Sequence, residues 1–158
     1  MIEEFRAKVV AIAESYVGPQ DPDRFWSRVC PKLCGNPHGI SWGGGFALSC
    51  LHEAGITDKP WTRGKGFLLT PPKLPRTNRP KPGDIAFFDE PVPHHAIVRE
   101  VTEDVLFTVE GNHGAGLEEV VELRERPLGT SGAVFFSIGL LIAAMDESNV
   151  EVFIDGIA

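Results

Sequence analysis

Trp42-Gly43-Gly44-Gly45-Phe46-Ala47-Leu48-Ser49-Cys50-Leu51-His52-Glu53-Ala54-Gly55 is the stretch whose reading decides the fold of this chain. Phe46, Leu48, Cys50, Leu51 and Ala54 give a helical apolar pattern from about Trp42 to Ala54, and Gly55 is placed to cap the C-terminus. The first turn is anomalous. Three consecutive glycines stand where helix formers are expected, and each costs on the order of 1 kcal/mol relative to alanine in a helix interior. Such a run needs a reason: a close approach to the backbone, or something removed.

Upstream, Ile2, Phe5, Val9, Ile12 and Tyr16 recur at spacings of three and four, which predicts an amphipathic helix ended by Gly18-Pro19. Asp21-Pro22 offers an N-cap and a first-turn proline for a short helix reaching Val29, and a loop rich in Pro and Gly fills residues 30 to 41. Downstream, residues 59 to 81 hold seven bases, five prolines and no acid, reading as an extended cationic connector. It is either a solvated loop or a rim that attracts an anionic polymer. After Pro82-Gly83 the period becomes that of strands, expected at Asp84–Phe88, His94–Val101, Val105–Glu110, Leu117–Arg124 and Ala133–Ile142. Their closeness in sequence predicts antiparallel pairing. Helices first and a strand meander second make an α+β layout, with residues 1–145 as one domain and 146–158 as an acidic tail.

The 158 residues suit a single domain, and with 42% apolar residues they exclude intrinsic disorder and a disulfide-stapled mini-protein. A net charge of −7 argues against a nucleic-acid partner, because no excess of cation is present to replace phosphate counterions. The three cysteines, Cys30, Cys34 and Cys50, are an odd number and point to a reducing compartment. No apolar run approaches the roughly 20 residues of a membrane span, so no membrane insertion is expected. The start, Met-Ile-Glu-Glu-Phe-Arg, has two acids and none of the features of a secretory signal, which predicts synthesis in the cytoplasm.

Three spots carry potential chemistry: the glycine-rich helix start, His94-His95 opening a strand, and Glu110-Gly111-Asn112 closing the next. A helix N-terminus stabilises a thiolate and binds an oxyanion, a strand histidine serves as general base, and a carboxylate or amide fixes the imidazole tautomer. Everything is present except a nucleophile.

In this order the motifs resemble the CHAP amidase/endopeptidase group of the papain-like NlpC/P60 superfamily of peptidoglycan hydrolases. The family's Trp-Cys-x-x-Phe helix start is similar to Trp42-Gly43-Gly44-Gly45-Phe46, running on to Ala54-Gly55. Its Pro-x-Pro-Gly-Asp strand entry is matched by Pro80-Lys81-Pro82-Gly83-Asp84, its His-x-Gly/Ala-Ile-Val strand by His94-His95-Ala96-Ile97-Val98, and its Glu-x-Asn by Glu110-Gly111-Asn112. The resemblance covers roughly residues 5 to 142. It implies a papain-like α+β fold, helices packed on an antiparallel sheet of about five strands, and hydrolysis of a peptidoglycan amide without a cofactor. A cysteine at position 43 would be the nucleophile, His94 the base, Glu110 and Asn112 the orienting groups, and the position-43 N–H part of the oxyanion hole.

Gly43 departs from that pattern, since without a side chain no acyl-enzyme forms and the chain as written is inactive in that chemistry. An engineered replacement of cysteine and a natural pseudoenzyme that binds without cutting both explain it. Cys50 lies about 10 Å further along the helix and reads as core. Cys30, Cys34 and His38 form a loose metal-ligand pattern, with His52 or Cys50 as a fourth ligand, against a Cys30–Cys34 disulfide or plain thiols. Trp42 and His95 are candidate substrate contacts or simply packing residues; His95 points away from His94 if the strand is regular. His113 reads as loop. The expected partner is bacterial peptidoglycan, reached through a phage structural protein, a lysis system or a toxin-effector route with a matching immunity protein. A wall- or partner-binding module is the alternative, and a transglutaminase-like acyl transferase a third reading.

Overall fold

The computed structural model describes residues 1–35, 41–62, 66–89, 92–113, 118–129 and 132–145. The acidic tail, His38, Arg63 and Lys65 lie outside the described residues, as does the side chain of His113. The chain is α+β. Three helices, α1 (Ile2–Ser15), α2 (Asp23–Val29) and α3 (Gly43–Glu53), precede a short α4 (Gly66–Leu69) and most of the sheet. The strands are β1 (Gly18–Pro19), β2 (Arg76–Thr77), β3 (Ile85–Phe88), β4 (His94–Val101), β5 (Val105–His113), β6 (Glu119–Pro127) and β7 (Ala133–Phe136). They form one open sheet in the order β1-β6-β5-β4-β3-β7-β2, every neighbouring pair antiparallel.

The expected five strands are therefore the inner five of seven. The two extra ones are two-residue edge pieces, too short for any periodicity to register, and they exist only through pairing with β6 and β7. A second correction concerns 133–142. The strand stops at Phe136 and a further helix, α5, runs over 139–145. The continuous apolar run gave no way to separate a buried strand from a strand followed by a buried helix turn.

Alternation along the strands sorts the side chains onto two faces. Ile85, Ile97, Val109 and Phe136 meet the helices in the main core, while Ala86, Phe88, Ala96, Val98 and Leu106 form a smaller cluster on the other face. Every residue of α3 from Gly43 to Leu51 is buried, as expected of a helix apolar all round and enclosed by other elements. On the predicted face of α1, Val9 and Tyr16 are buried, Phe5 and Ile12 half-buried and Ile2 exposed. Arg6 turns inward, its guanidinium 2.7 Å from the buried Asp84 carboxylate. Asp84 also accepts from the backbone N–H groups of Ile138 (3.0 Å) and Lys81 (2.9 Å), so it ties α1, the entry to β3 and the segment after β7 together. Among the described residues no helix is long and apolar enough to cross a membrane.

Candidate functional site

The glycine run is a place of close approach at all three positions. A Cβ on Gly43 would lie 2.7 Å from the backbone oxygen of His95 and 3.0 Å from Nδ1 and Cε1 of His94. One on Gly44 would overlap the Trp61 ring and stand 3.0 Å from His95 Nδ1, and one on Gly45 would overlap the Trp26 ring. The start of α3 thus rests directly on the first residues of β4 and on two indoles. Trp42 precedes it as N-cap without a side-chain capping bond, and the Phe46 N–H to Trp42 carbonyl bond, 2.9 Å, closes the first turn. The N–H groups of that first turn have no partner within the helix.

His94 is the first residue of β4. Its Nε2 stands 2.7 Å from Glu110 Oε1 on the neighbouring strand. Glu110 is fully buried, and its carboxylate accepts from Arg126 Nε (2.9 Å) and Nη2 (2.7 Å), from the Thr108 hydroxyl and from Asn112 Nδ2 (3.4 Å). Burial opposes its ionisation, but the hydrogen bonds from His94, Arg126 and Thr108 outweigh burial and hold the carboxyl well below the usual carboxylate range. An ionised acceptor at Nε2 draws the ring proton to that nitrogen, leaving the Nδ1 lone pair on the side facing position 43. The helix start, the histidine and the acid therefore close into one constellation: an imidazole held by a buried carboxylate, its other ring nitrogen facing the N-terminus of α3 at Gly43.

Asn112 has a split role, its amide lying closer to Glu122 (2.9 Å) than to Glu110. Arg126 and Thr108 are not among the site residues read from the sequence. Thr108 shares the spacing of two with Glu110 and Asn112, a signal that was available. Arg126 is brought in only by the β5–β6 register, which sets it opposite Leu106; its guanidinium also lies 4.1 Å over the Phe88 ring.

Trp42 and His95 are both largely enclosed by other side chains. Trp42 is 2% exposed, stacks on Phe25 at 5.6 Å, donates its indole N–H to Glu119 and fills the space that a Cβ on Gly111 would need. His95 points to the helix face, enclosed by Trp61, Phe67 and Phe87 at ring separations of 4.8–5.5 Å. Its Nε2 is buried with no hydrogen-bond partner among the described residues. Burial, reinforced by His94, pulls its pKa down to about 3, so it is neutral at ordinary pH.

Cys50 is fully buried in the core, and burial pushes its thiol well above the ordinary value, which removes it as a substitute nucleophile. Cys30 and Cys34 are half-buried free thiols. His52 Nε2 is 2.6 Å from the Lys59 carbonyl. Among the described residues no group of three His, Cys, Asp or Glu is arranged to hold a metal. No family model, curated protein or solved structure matches the chain.

Proposed function

We propose that this chain is a papain-like domain of the CHAP / NlpC-P60 type, built on the plan of a peptidoglycan amide hydrolase, and that with glycine at position 43 it binds a wall peptide without cutting it. The observation that supports this is the His94–Glu110 pair, 2.7 Å apart, whose free ring nitrogen lies 3.0 Å from the Cβ position of Gly43 at the start of α3. In the parent chemistry a cysteine there passes its proton to His94 Nδ1. The thiolate attacks the amide carbonyl, the N–H groups at the start of α3 receive the oxyanion, and the imidazolium protonates the departing amine. Glu110 keeps the imidazole in the tautomer this needs. The close packing of all three glycines favours a chain adapted to glycine over a single excised side chain. Delivery to the wall by other proteins is part of the proposal.

The experiment pairs two measurements on purified peptidoglycan: sedimentation of the wild-type chain with it, and mass spectrometry of fragments released by Gly43→Cys. The reading expects co-sedimentation, amide-cleaved fragments from Gly43→Cys, and none from the Gly43→Cys, His94→Ala double variant. A wild-type chain that stays in solution, together with a Gly43→Cys chain that releases nothing, overturns it.

A further inference from the structure

Beside the start of α3 lies a cavity of about 300 Å³ whose walls include Gly44, Trp61, Phe87, His95 and Asp89. That volume matches about ten water molecules at roughly 30 Å³ each, the size of one amino acid and not of a polymer strand. Three features set its chemistry. Its walls are rings at steep angles to one another: Trp61 meets His95 edge-on at 90°, and Phe87 meets it at 49°. Trp61 reaches this position because residue 44 is glycine; any Cβ there would overlap the indole. Among the residues lining the cavity, Asp89 alone carries a formal charge. It is exposed, and among the described residues none pairs with its carboxylate.

From this enclosure we infer that the cavity is a binding site for a small ammonium-bearing ligand, a primary amine on a short apolar stem, with the ammonium held between the Asp89 carboxylate and the Trp61 face. Electron-rich ring faces attract a cation, the more so when it is partly desolvated, and a carboxylate at the rim supplies the counter-charge. A carboxylate ligand meets repulsion at Asp89, and a neutral isostere gains the apolar contacts alone. His95, although titratable, does not oppose a cation, because its enclosure keeps the ring neutral. The inference stands apart from the wall reading: it needs neither a nucleophile at position 43 nor peptidoglycan.

The test is a titration of the ¹⁵N-labelled full chain with n-butylammonium, n-butanol and butyrate in parallel at constant ionic strength, following the Trp61 indole N–H, assigned by its disappearance in Trp61→Phe. The expected result is a saturable shift with n-butylammonium, about tenfold weaker binding of n-butanol, and none of butyrate. Asp89→Asn, a change at an exposed side chain, lowers the affinity for n-butylammonium to that for n-butanol. Equal affinity for the amine and the alcohol, an Asp89→Asn chain that binds the amine undiminished, or no saturable shift with the amine in the millimolar range each overturns the inference.

Discussion

His94 and Glu110, sixteen residues apart in sequence, are joined by a 2.7 Å contact between Nε2 and Oε1, and the carboxylate that makes it is completely enclosed. The pair depends on Arg126, whose guanidinium meets both oxygens of the same carboxylate. A buried anion of this kind is stable only with its partners, which makes its removal expensive and pH-dependent.

Glu110→Gln leaves Arg126 facing a neutral amide, and a buried charge stripped of its partner costs about 3–5 kcal/mol; the half-exposed flank of Arg126 puts the expected loss near the lower end at pH 7. Because the folded carboxyl titrates below its unfolded value of about 4.3, its contribution is fully present above that pH and fades as pH falls through the folded value. Urea unfolding of both proteins at pH 7 and pH 3 measures this: the gap narrows at pH 3, and a gap that widens there contradicts the assignment.

Gly43→Cys must move α3 or the start of β4, since a Cβ 2.7 Å from the His95 carbonyl oxygen is not tolerated. Overpacking of this kind costs about 1–3 kcal/mol, so a lowered melting temperature is expected. The new thiol, at a helix N-terminus beside His94, should alkylate with iodoacetamide well below pH 8.5, the midpoint of an ordinary thiol. Adding His94→Ala should return the rate profile toward that midpoint, while an unchanged profile would show that the imidazole does not reach the sulfur.

His95 supplies a second pH dependence, of opposite chemical origin. Its folded pKa, about 3, lies below the unfolded value near 6.5. Between those limits the unfolded chain binds a proton that the folded chain refuses, so stability falls as the solution is acidified. At pH 4 the loss is on the order of 3 kcal/mol, taking 1.36 kcal/mol per unit. Replacing the ring by a neutral one in His95→Phe should flatten the stability profile between pH 6.5 and 4; an equally steep profile would assign the slope to other groups.

Arg6 and Asp84 offer a test of the fold itself. Asp84→Ala leaves the Arg6 guanidinium with the Pro82 carbonyl but no counter-charge and strands two backbone N–H groups, for an expected loss of about 3–5 kcal/mol, or about 10 °C in melting temperature for a domain of this size. Arg6→Leu combined with Asp84→Leu should recover only part of it, because the N–H groups of Ile138 and Lys81 remain unpaired. Calorimetry of the single and double variants separates the ion pair from the backbone clip.

Much of this architecture was legible in local pattern. The spacing of apolar residues gave α1 and α3, the Asp21-Pro22 pair gave the start of α2, and the strand-like patterning after Pro82-Gly83 gave β3 to β6, because each of these signals is written in side chains a few residues apart. His94, Glu110 and Asn112 were legible as a set for the same reason: their spacing on adjoining strands resembles a known order of motifs. The edge strands β1 and β2 were not legible, since two residues carry no period. The helix at 139–145 was hidden inside an apolar run that serves either state.

What the sequence determined by itself was the α+β layering and the choice of His94, Glu110 and Asn112 as candidates. Only the tertiary structure decided how they are placed. It decided that Arg126 and Thr108 hold Glu110, that Trp42 and His95 are enclosed by other rings, and that Gly43, Gly44 and Gly45 are each pressed against a strand or an indole. The reason is physical: a hydrogen bond or a steric overlap depends on distance in space, and register and helix placement fix that distance only after the whole chain has packed.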